Sequence, residues 1–296
     1  MRVRADLAGR IGRHASGDGI LETPLPRVSL TRSSVPTEPL HTLYPPSVCL
    51  VAQGRKEVTV GGRRFMYDPS TVLVVGIDLP VIGAVTLADP DTPFLCMRLE
   101  LDRSLLADVL AVRPGAGTGM PASAVATCAA TPELIDASVR LVELIDTPDE
   151  AAYLAPLVEQ EILHRLVMGP QGPLLRQIAS GEGRIGRIDR AVRFIRASYR
   201  EAFAINDLAA IAGMSVSAFH DHFRAVMAMT PLQFRNHIRL QEARRLMMVD
   251  DMTAAEAGFA VGYDSPSQFS REYVRIHRVP PRQDVARLRE LAIEGL

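Results

Sequence analysis

One pattern of residues occurs twice near the C-terminal end of the chain, about 50 residues apart. Residues 208–219 and residues 258–273 each contain small apolar residues, a glycine, a serine and an aromatic residue in the same order. Glycine adopts the positive φ angles of a tight turn without strain, and serine is favoured at the N-terminus of a helix. The pattern therefore predicts two helix–turn–helix units, joined by one long helix over Pro231–Val249.

The second helix of each unit has an apolar and a polar face. In each of them two aromatic residues, four positions apart, are predicted to face the core. These residues are Phe219, Phe223, Phe269 and Tyr273. The outward positions are Ser217, His220, Asp221 and Arg224 in the first unit, and Ser267, Gln268, Ser270 and Arg271 in the second. The predicted N-caps are Ser215 and Ser265.

The N-terminal part of the chain has a different periodicity. Between Leu40 and Leu101, short runs of β-branched and aromatic residues are separated by glycine and proline. The clearest runs are Val48–Val51, Val58–Val60, Arg64–Tyr67 and Val72–Val75. Gly61 and Gly62 fit a two-residue hairpin turn between two of these runs. Short strands at this even spacing predict a small β-barrel or sandwich.

The middle of the chain combines a loop pattern with helical patterns. Residues 111–130 are rich in glycine, alanine and threonine without a consistent period, and we predict a loop there. Apolar residues at helical spacing predict two helices between Leu134 and Leu166, and residues 181–186 are predicted to be a linker. The apolar stripes of the two helices need burial, either against the chain's own barrel or in a homodimer.

The two parts of the chain differ in charge. Residues 184–296 carry a net charge of +4 and residues 1–183 a net charge of −5, although the whole chain has a net charge of −1. A basic C-terminal part is typical of a nucleic-acid contact confined to one domain. The N-terminus has no signal-peptide pattern, and no stretch approaches the roughly 20 apolar residues of a membrane span. We therefore expect a cytoplasmic protein without a membrane contact.

Several segments resemble the AraC family of bacterial transcription regulators. The resemblance covers nearly all of residues 184–285. It rests on residues 213–215 (Gly-Met-Ser), residues 239–246 (Arg-Leu-Gln-Glu-Ala-Arg-Arg-Leu) and residues 261–273, followed by Pro280 and Pro281. Four N-terminal segments are similar to motifs of the cupin-like barrel that one branch of the family carries. They are residues 43–47, residues 53–56, residues 67–69 and residues 78–80.

The resemblance implies an α+β multidomain protein. Its predicted parts are a cupin-like β-barrel as effector or regulatory domain over residues 1–110, a loop over residues 111–130, a helical connector over residues 131–183, and an all-α DNA-binding domain with two helix–turn–helix motifs over residues 184–296. The connector is a candidate dimerisation element of a homodimer.

The resemblance also implies a sequence-specific activator or repressor that binds double-stranded DNA. An α-helix fits the major groove, where its outward side chains reach base edges. The predicted DNA-contacting residues are Ser215, Ser217, His220, Asp221, Arg224, Ser265, Ser267, Gln268, Ser270 and Arg271. Arg271 is the leading candidate for a guanine contact, with an ion pair to Glu272 or Asp264 as the alternative. RNA polymerase is an expected partner if the protein is an activator.

A run of arginines precedes the first unit. It consists of Arg187, Arg190, Arg193, Arg196 and Arg200. A solvated helix face and phosphate contacts are equally good interpretations of this run.

The chain departs from the family's pattern in three places. Asp221 stands where the family more often has a basic or neutral polar residue, and it would repel phosphates but could accept a hydrogen bond from a cytosine amino group. Gly258 stands in a helix interior, where it is expected to cost roughly 1 kcal/mol relative to alanine. His277 and Arg278 replace the usual aromatic residue and glycine.

The barrel is expected to be a sensor without catalytic residues, metal or cofactor. Metal-dependent cupins need clustered histidines and carboxylates, whereas His41 is the only histidine between Leu40 and Leu101. The candidate effector-binding residues are Gln53, Arg55, Tyr67 and Arg98. Cys49 and Cys96 are either oxidant sensors or buried, inert thiols.

Two other functions stay open. The chain could be a cupin-type enzyme or metabolite-binding protein with an appended helical domain, or a DNA-binding protein that works without an effector.

Overall fold

The fold is described by a computed structural model that covers residues 2–112 and 123–294, with side chains from residue 4 to residue 289 of these ranges. Its N-terminal part contains ten strands. They are β1 (Gly19–Glu22), β2 (Val28–Ser33), β3 (Leu40–Tyr44), β4 (Ser47–Gln53), β5 (Arg55–Val60), β6 (Arg63–Tyr67), β7 (Thr71–Val75), β8 (Leu79–Leu87), β9 (Phe94–Glu100) and β10 (Val125–Ala129).

The strands form two antiparallel sheets that share one apolar core. One sheet has six strands in the order β1-β2-β9-β4-β7-β10, and the other has four in the order β3-β8-β5-β6. The predicted β-rich N-terminal domain is confirmed, but its described strands divide between two sheets and do not close into one barrel. The predicted hairpin is also confirmed, because Gly61 and Gly62 join β5 to β6 with φ angles of 55° and 81°.

The six-stranded sheet is covered on one face by a helix that the sequence did not predict. This helix, α1 (Arg2–His14), packs against β4 and β9 through the buried side chains of Leu7 and Ile11. Leu95 of β9 points towards it, because its side chain lies 3.8 Å from the place of a Cβ on Gly12. Strand residues alternate between faces, so Cys96 points to the opposite face, into the interior between the sheets.

The predicted loop over residues 111–130 is wrong at both ends, because residues 111 and 112 are helical and residues 125–129 form a strand. Residues 113–122 lie outside the described residues, but Val125–Ala129 forms β10 at the edge of the larger sheet. Val125 pairs with Val75 and Ala129 with Thr71. This strand pairs with a segment about 50 residues earlier in the chain, and two of its five residues are alanines, which are depleted in strands.

Four helices connect the sheets to the C-terminal domain. They are α2 (Arg103–Val112), α3 (Pro132–Glu143), α4 (Pro148–Met168) and α5 (Gly172–Ser180). The two helices predicted between Leu134 and Leu166 are confirmed. The predicted linker over residues 181–186 is wrong, because Gly181 ends α5 in the left-handed conformation and the next helix begins at Gly183.

The C-terminal domain consists of seven described helices. They are α6 (Gly183–Ala197), α7 (Ile205–Ala212), α8 (Val216–Met227), α9 (Pro231–Val249), α10 (Ala254–Ala260), α11 (Pro266–His277) and α12 (Pro281–Glu294). The long helix predicted over Pro231–Val249 is confirmed as α9, which joins the two helix–turn–helix units. Within the described ranges, no helix is long and apolar enough to cross a bilayer.

Candidate nucleic-acid interface

The first helix–turn–helix unit is built by α7 and α8. Gly213 ends α7 in the left-handed conformation, with a φ angle of 64°. Ser215 then caps α8 by accepting a hydrogen bond from the backbone N–H of Ala218 at 3.3 Å. Arg190 of α6 donates to the carbonyl oxygen of Ala212 at 3.2 Å, so α6 holds the turn in place. The predicted turn and N-cap are confirmed.

The second unit repeats this arrangement with α10 and α11. Gly262 lies in the turn with a φ angle of 92°. Ser265 caps α11 by accepting a hydrogen bond from the backbone N–H of Gln268 at 3.2 Å, and Pro266 occupies the first turn of the helix. A proline there costs little, since its missing N–H would have no intrahelical partner.

α10 and α11 approach each other closely at Gly258. A Cβ at this position would lie 3.0 to 3.2 Å from side-chain atoms of Phe269, which is shorter than an ordinary van der Waals contact. The glycine therefore permits a close contact between the two helices. This contact offsets part of the roughly 1 kcal/mol that glycine was expected to cost.

The aromatic pairs face inward as predicted. The ring centroids of Phe219 and Phe223 are 5.5 Å apart, and those of Phe269 and Tyr273 are also 5.5 Å apart. All four residues are fully buried. Since residues four positions apart share one helix face, the remaining faces of α8 and α11 are turned outward.

These outward faces carry the predicted DNA-contacting residues. Ser215, Ser217, His220, Asp221 and Arg224 are exposed on α8 or at its N-cap, Ser267, Gln268 and Arg271 are exposed on α11, and Ser265 and Ser270 are partly exposed. The hydroxyl oxygens of Ser215 and Ser265 already accept the capping hydrogen bonds. Each helix therefore presents a polar face to solvent.

Arg271 has a guanidinium group that no acidic side chain holds in the part of the chain with described side chains. Its Nε donates only to the backbone oxygen of Ser267, at 3.3 Å. Glu272, one of the two alternative partners, instead forms an ion pair with Arg275 at 2.7 Å. Arg271 is thus left with donors that are free to bind a ligand.

Arg239 of α9 links the second unit to the segment after α6, a role that the sequence did not reveal. Its Nε donates to the backbone oxygen of Tyr199 at 2.7 Å, and its two terminal nitrogens donate to Gly262 and Arg200 at 2.6 and 2.9 Å. Its guanidinium also lies 5.6 Å from the ring centroid of Tyr263. One buried side chain therefore joins the segment after α6 to the turn of the second unit.

The arginines of α6 act mainly as structural contacts. Arg193 forms an ion pair with the buried Asp189 at 3.0 Å, and Arg196 forms one with the buried Asp78 of the N-terminal domain. Arg187 donates to the carbonyl oxygen of Gly213 at 3.5 Å. These contacts support neither interpretation of the run. The three side chains are neither free on a solvated face nor free to bind phosphates.

The four candidate effector-binding residues do not form one group. Gln53 donates to the backbone oxygen of Pro93 at 2.8 Å, and Arg55 is exposed. Tyr67 is buried in the core. Arg98 of β9 lies on the same strand face as Cys96, two residues away, and its Nε donates to the Ser29 hydroxyl at 3.1 Å.

The smaller sheet contacts the C-terminal domain through β3. Nε2 of Gln241 and Nη1 of Arg244, both on α9, donate to the backbone oxygen of His41 at 2.7 and 3.3 Å. The His41 ring centroid lies 6.4 Å from that of His237 and 5.8 Å from that of His277. Three histidines from the two domains thus meet at one contact.

The hairpin between β5 and β6 makes a second contact between the domains. Gly61 lies against Ala228, the residue that ends α8, and leaves no space for a side chain of its own. Glu38 of the N-terminal domain also forms an ion pair with Arg287 of α12. The N-terminal domain therefore touches both helix–turn–helix units.

The histidines of the domain contact are held in the neutral form. Burial lowers the pKa of His237 to about 4, with smaller contributions from His41 and Arg275. Burial and the neighbouring Arg244 lower the pKa of His277 to about 3. Arg244 donates to Nδ1 of His277 at 2.5 Å and pairs with the carboxylate of Asp284 at 2.8 Å. His277, where this chain departs from the family's pattern, thus lies in the contact between the two domains.

No group of three or more histidine, cysteine or carboxylate side chains is placed to hold a metal ion in residues 4–112 and 123–289. Arg244 contacts the His277 ring and the backbone oxygen of His41, and its positive charge opposes a cation bound at the domain contact.

Family models match both parts of the chain. The model described as AraC-type transcriptional regulator N-terminus matches residues 24–174. The model described as helix-turn-helix domain matches residues 208–287, which include both units.

Curated relatives are transcription regulators. The regulator ExsA of Pseudomonas aeruginosa is 27% identical over 159 residues, which cover 52% of this chain and 55% of that protein. The activator VirF of Yersinia enterocolitica is 24% identical over 165 residues, which cover 56% of this chain and 60% of that protein. The chain therefore spans about half the length of the curated relatives that it matches.

Solved structures share the fold. A structure of ToxT from Vibrio cholerae matches with a TM-score of 0.62 and 12% identity, over 87% of this chain and 97% of that chain. A second ToxT structure matches with a TM-score of 0.60 and 9% identity, over 88% and 97% of the two chains. Because the two family models match residues 24–174 and 208–287, the chain belongs to the AraC family of transcription regulators.

Proposed function

We propose that this protein is a sequence-specific DNA-binding transcription regulator, with α8 and α11 as its recognition helices. The observation that carries the proposal is the pair of helix–turn–helix units with polar outward faces, joined by the single helix α9. Two such helices on one rigid support could enter successive major-groove segments, about 10 base pairs apart on one face of the duplex.

The proposed contacts divide between the two helices. On α8 they are Ser215, Ser217, His220, Asp221 and Arg224, and on α11 they are Ser265, Ser267, Gln268, Ser270 and Arg271. Arg271 would donate to O6 and N7 of a guanine, since its guanidinium can form two hydrogen bonds in one plane. Asp221 would accept from a cytosine amino group, because a carboxylate near phosphates is otherwise unfavourable.

An effector that binds the N-terminal domain completes the proposal. A structure of ToxT is described as bound to an unsaturated fatty acid, and its fold is shared by this chain. The direct contact between β3 and α9 is a physical path from such a site to the DNA-binding helices. Catalysis forms no part of the proposal, because the family models and the curated relatives are those of regulators.

The replacement Arg271→Ala tests the proposed guanine contact. We expect it to weaken binding to the preferred DNA by about 1–3 kcal/mol and to relax the preference at a single base pair. The measurement is a mobility-shift titration at fixed salt, first on DNA selected by the wild-type protein and then on single-base variants of it.

Arg245→Ala is the matched control for this experiment, because Arg245 is an exposed arginine on α9 that already pairs with Glu242 at 2.9 Å. It should leave both affinity and base preference unchanged. An Arg271→Ala variant that loses affinity equally for every sequence would assign Arg271 to a phosphate and contradict the guanine contact.

We also propose that two copies of the chain associate through α4. The side chains of Tyr153 and Leu157 are 77% and 51% exposed on this helix. Leu144, Leu154 and Leu157 line a groove of about 620 Å³ between α3 and α4. Contiguous exposed apolar surface of this kind is typical of an interaction site. RNA polymerase would be a further partner, as the relatives named activators suggest.

Replacement of Leu157 by glutamate tests the homodimer. A charge in an apolar interface should weaken dimerisation by about tenfold or more, measured by sedimentation velocity over a range of concentrations. Leu87→Glu is the control, because Leu87 is 53% exposed on β8, away from α4. A wild-type protein that stays monomeric at high micromolar concentration would remove this proposal.

A further inference from the structure

The N-terminal domain holds the only lysine of the chain. Of the 33 basic residues apart from histidine, Lys56 is the single lysine, and all others are arginines. Lys56 belongs to β5, where Val58 and Val60 are buried at alternate positions. Because residues two apart share a strand face, Lys56 points into the interior between the sheets.

Aromatic and polar side chains surround the lysine ammonium. Nζ of Lys56 lies 5.7 Å from the ring centroid of Tyr44 on β3 and 5.9 Å from that of Phe94 on β9. The Tyr44 hydroxyl and Cε of Lys56 lie 3.8 and 3.5 Å from the place of a Cβ on Gly83. Gly83 thus leaves the space beside both groups without a side chain.

Lys56 has no carboxylate partner among the side chains that the structure describes. Its neighbour Glu57 faces the other way and pairs with Arg64 at 3.8 Å. Lys56 is partly exposed, and an opposite charge beside its ammonium would offset the cost of the burial that remains. Burial opposes its charge, but Tyr44 and the thiol of Cys96 stabilise it, and the pKa of Lys56 is raised on balance.

A second basic side chain lies on the facing sheet. Cys49 and Arg98 are paired across β4 and β9, and Cys96 shares their face. The nearest carboxylates to Arg98, those of Glu22 and Glu100, are at 3.9 and 4.0 Å, the outer limit of an ion pair. Basic side chains thus lie on both walls of the interior, although two carboxylates reach Arg98.

We propose that the interior between the two sheets binds the carboxylate of a small organic acid, with Lys56 as its counter-ion and the Tyr44 hydroxyl as a hydrogen-bond donor. The acid supplies the negative charge that the described side chains do not. Tyr44 belongs to β3, the strand whose His41 contacts α9, so an acid bound there lies one strand away from the DNA-binding domain. The role of this acid as effector rests on the proposed function, whereas its binding does not.

The single lysine makes the test specific. The full chain is labelled with ¹³C-lysine, so that one ε-methylene signal reports on Lys56, and is titrated with straight-chain monocarboxylates from butanoate to oleate. Primary alcohols of the same lengths are the controls. We expect at least one acid to shift the signal saturably. The alcohol of the same length should bind at least about tenfold more weakly. In Lys56→Met, calorimetry should find the acid and the alcohol bound equally, whereas Arg63→Met, at an exposed position on β6, should keep the preference.

Two results would overturn the site. One is a lysine signal that no acid of the series shifts, and the other is a Lys56→Met variant that keeps the preference for the acid. A different result would assign the counter-charge to the Cys49 thiolate. In that case the Cys49→Ser replacement lowers the pKa of Lys56, and the wild-type signal responds to no acid. Acid binding is measured without DNA, so failure of this site and failure of DNA binding are separate results.

Discussion

Replacing Arg239 by methionine is expected to lower the thermal midpoint of the C-terminal domain by about 10 °C or more. Three backbone oxygens would lose a charged donor at 2.6 to 2.9 Å. A hydrogen bond to a charged group contributes about 1.5–3 kcal/mol, and recovery of the desolvation cost of Arg239 offsets part of the loss. A net loss of about 3 kcal/mol corresponds to the expected shift for a domain of roughly 100 residues.

Scanning calorimetry of the full chain measures this shift. Arg245→Met is the control, because its exposed ion pair with Glu242 should contribute less than about 1 kcal/mol. Arg239→Lys should also be destabilising, since an ammonium cannot donate to three separated carbonyl oxygens in the geometry of a guanidinium. An Arg239→Met variant as stable as wild type would show that the two helix–turn–helix units do not depend on this side chain.

Acidification from pH 7 to pH 5 is expected to lower the free energy of unfolding by about 2 kcal/mol through His237 and His277. Their pKa values in the folded chain are lowered to about 4 and about 3, below the ordinary value of 6.5. Below pH 6.5 the unfolded chain therefore binds protons that the folded chain does not. Stability is complete above this pH and falls as the pH decreases towards 4.

The magnitude follows from proton linkage. Each histidine contributes at most about 1.4 kcal/mol per pH unit, and partial exposure of the two rings reduces this value. Arg244, Arg275 and Arg278 face the cluster with positive charge, and Asp284 opposes them with a negative one.

Urea unfolding at pH 7 and pH 5 measures this dependence. His277→Gln should retain a neutral acceptor for Arg244 but lose part of the acid sensitivity. His220→Gln, at an exposed position on α8, should keep all of it. Equal pH dependence in wild type and His277→Gln would exclude the domain contact as its source.

The features that local rules determine were predictable from the sequence. The glycine turns, the serine N-caps and the inward aromatic pairs each depend on residues a few positions apart, and the structure confirms them. The four strand runs predicted between Val48 and Val75 are confirmed for the same reason. Ser215, Gly213 and Phe219 illustrate how three neighbouring residues define one unit.

The features that non-local contacts determine were missed. β10 exists because it pairs with β7, about 50 residues away, and its own composition resembles that of a loop. Arg239 lies in a recognisable motif, but its three acceptors come from the end of α6 and the turn of the second unit. The environment of Lys56 is assembled from β3, β5, β8 and β9, although its status as the only lysine is visible in the sequence.

The measurement that tests the central claim most directly is hydroxyl-radical footprinting of the full chain on genomic DNA fragments that it selects. We expect two protected segments on one face of the duplex, about 10 base pairs apart, with binding that weakens steeply as salt increases. Absence of sequence-preferring, salt-dependent binding below micromolar protein concentration, or protection of one segment only, would contradict the action of α8 and α11 as paired recognition helices.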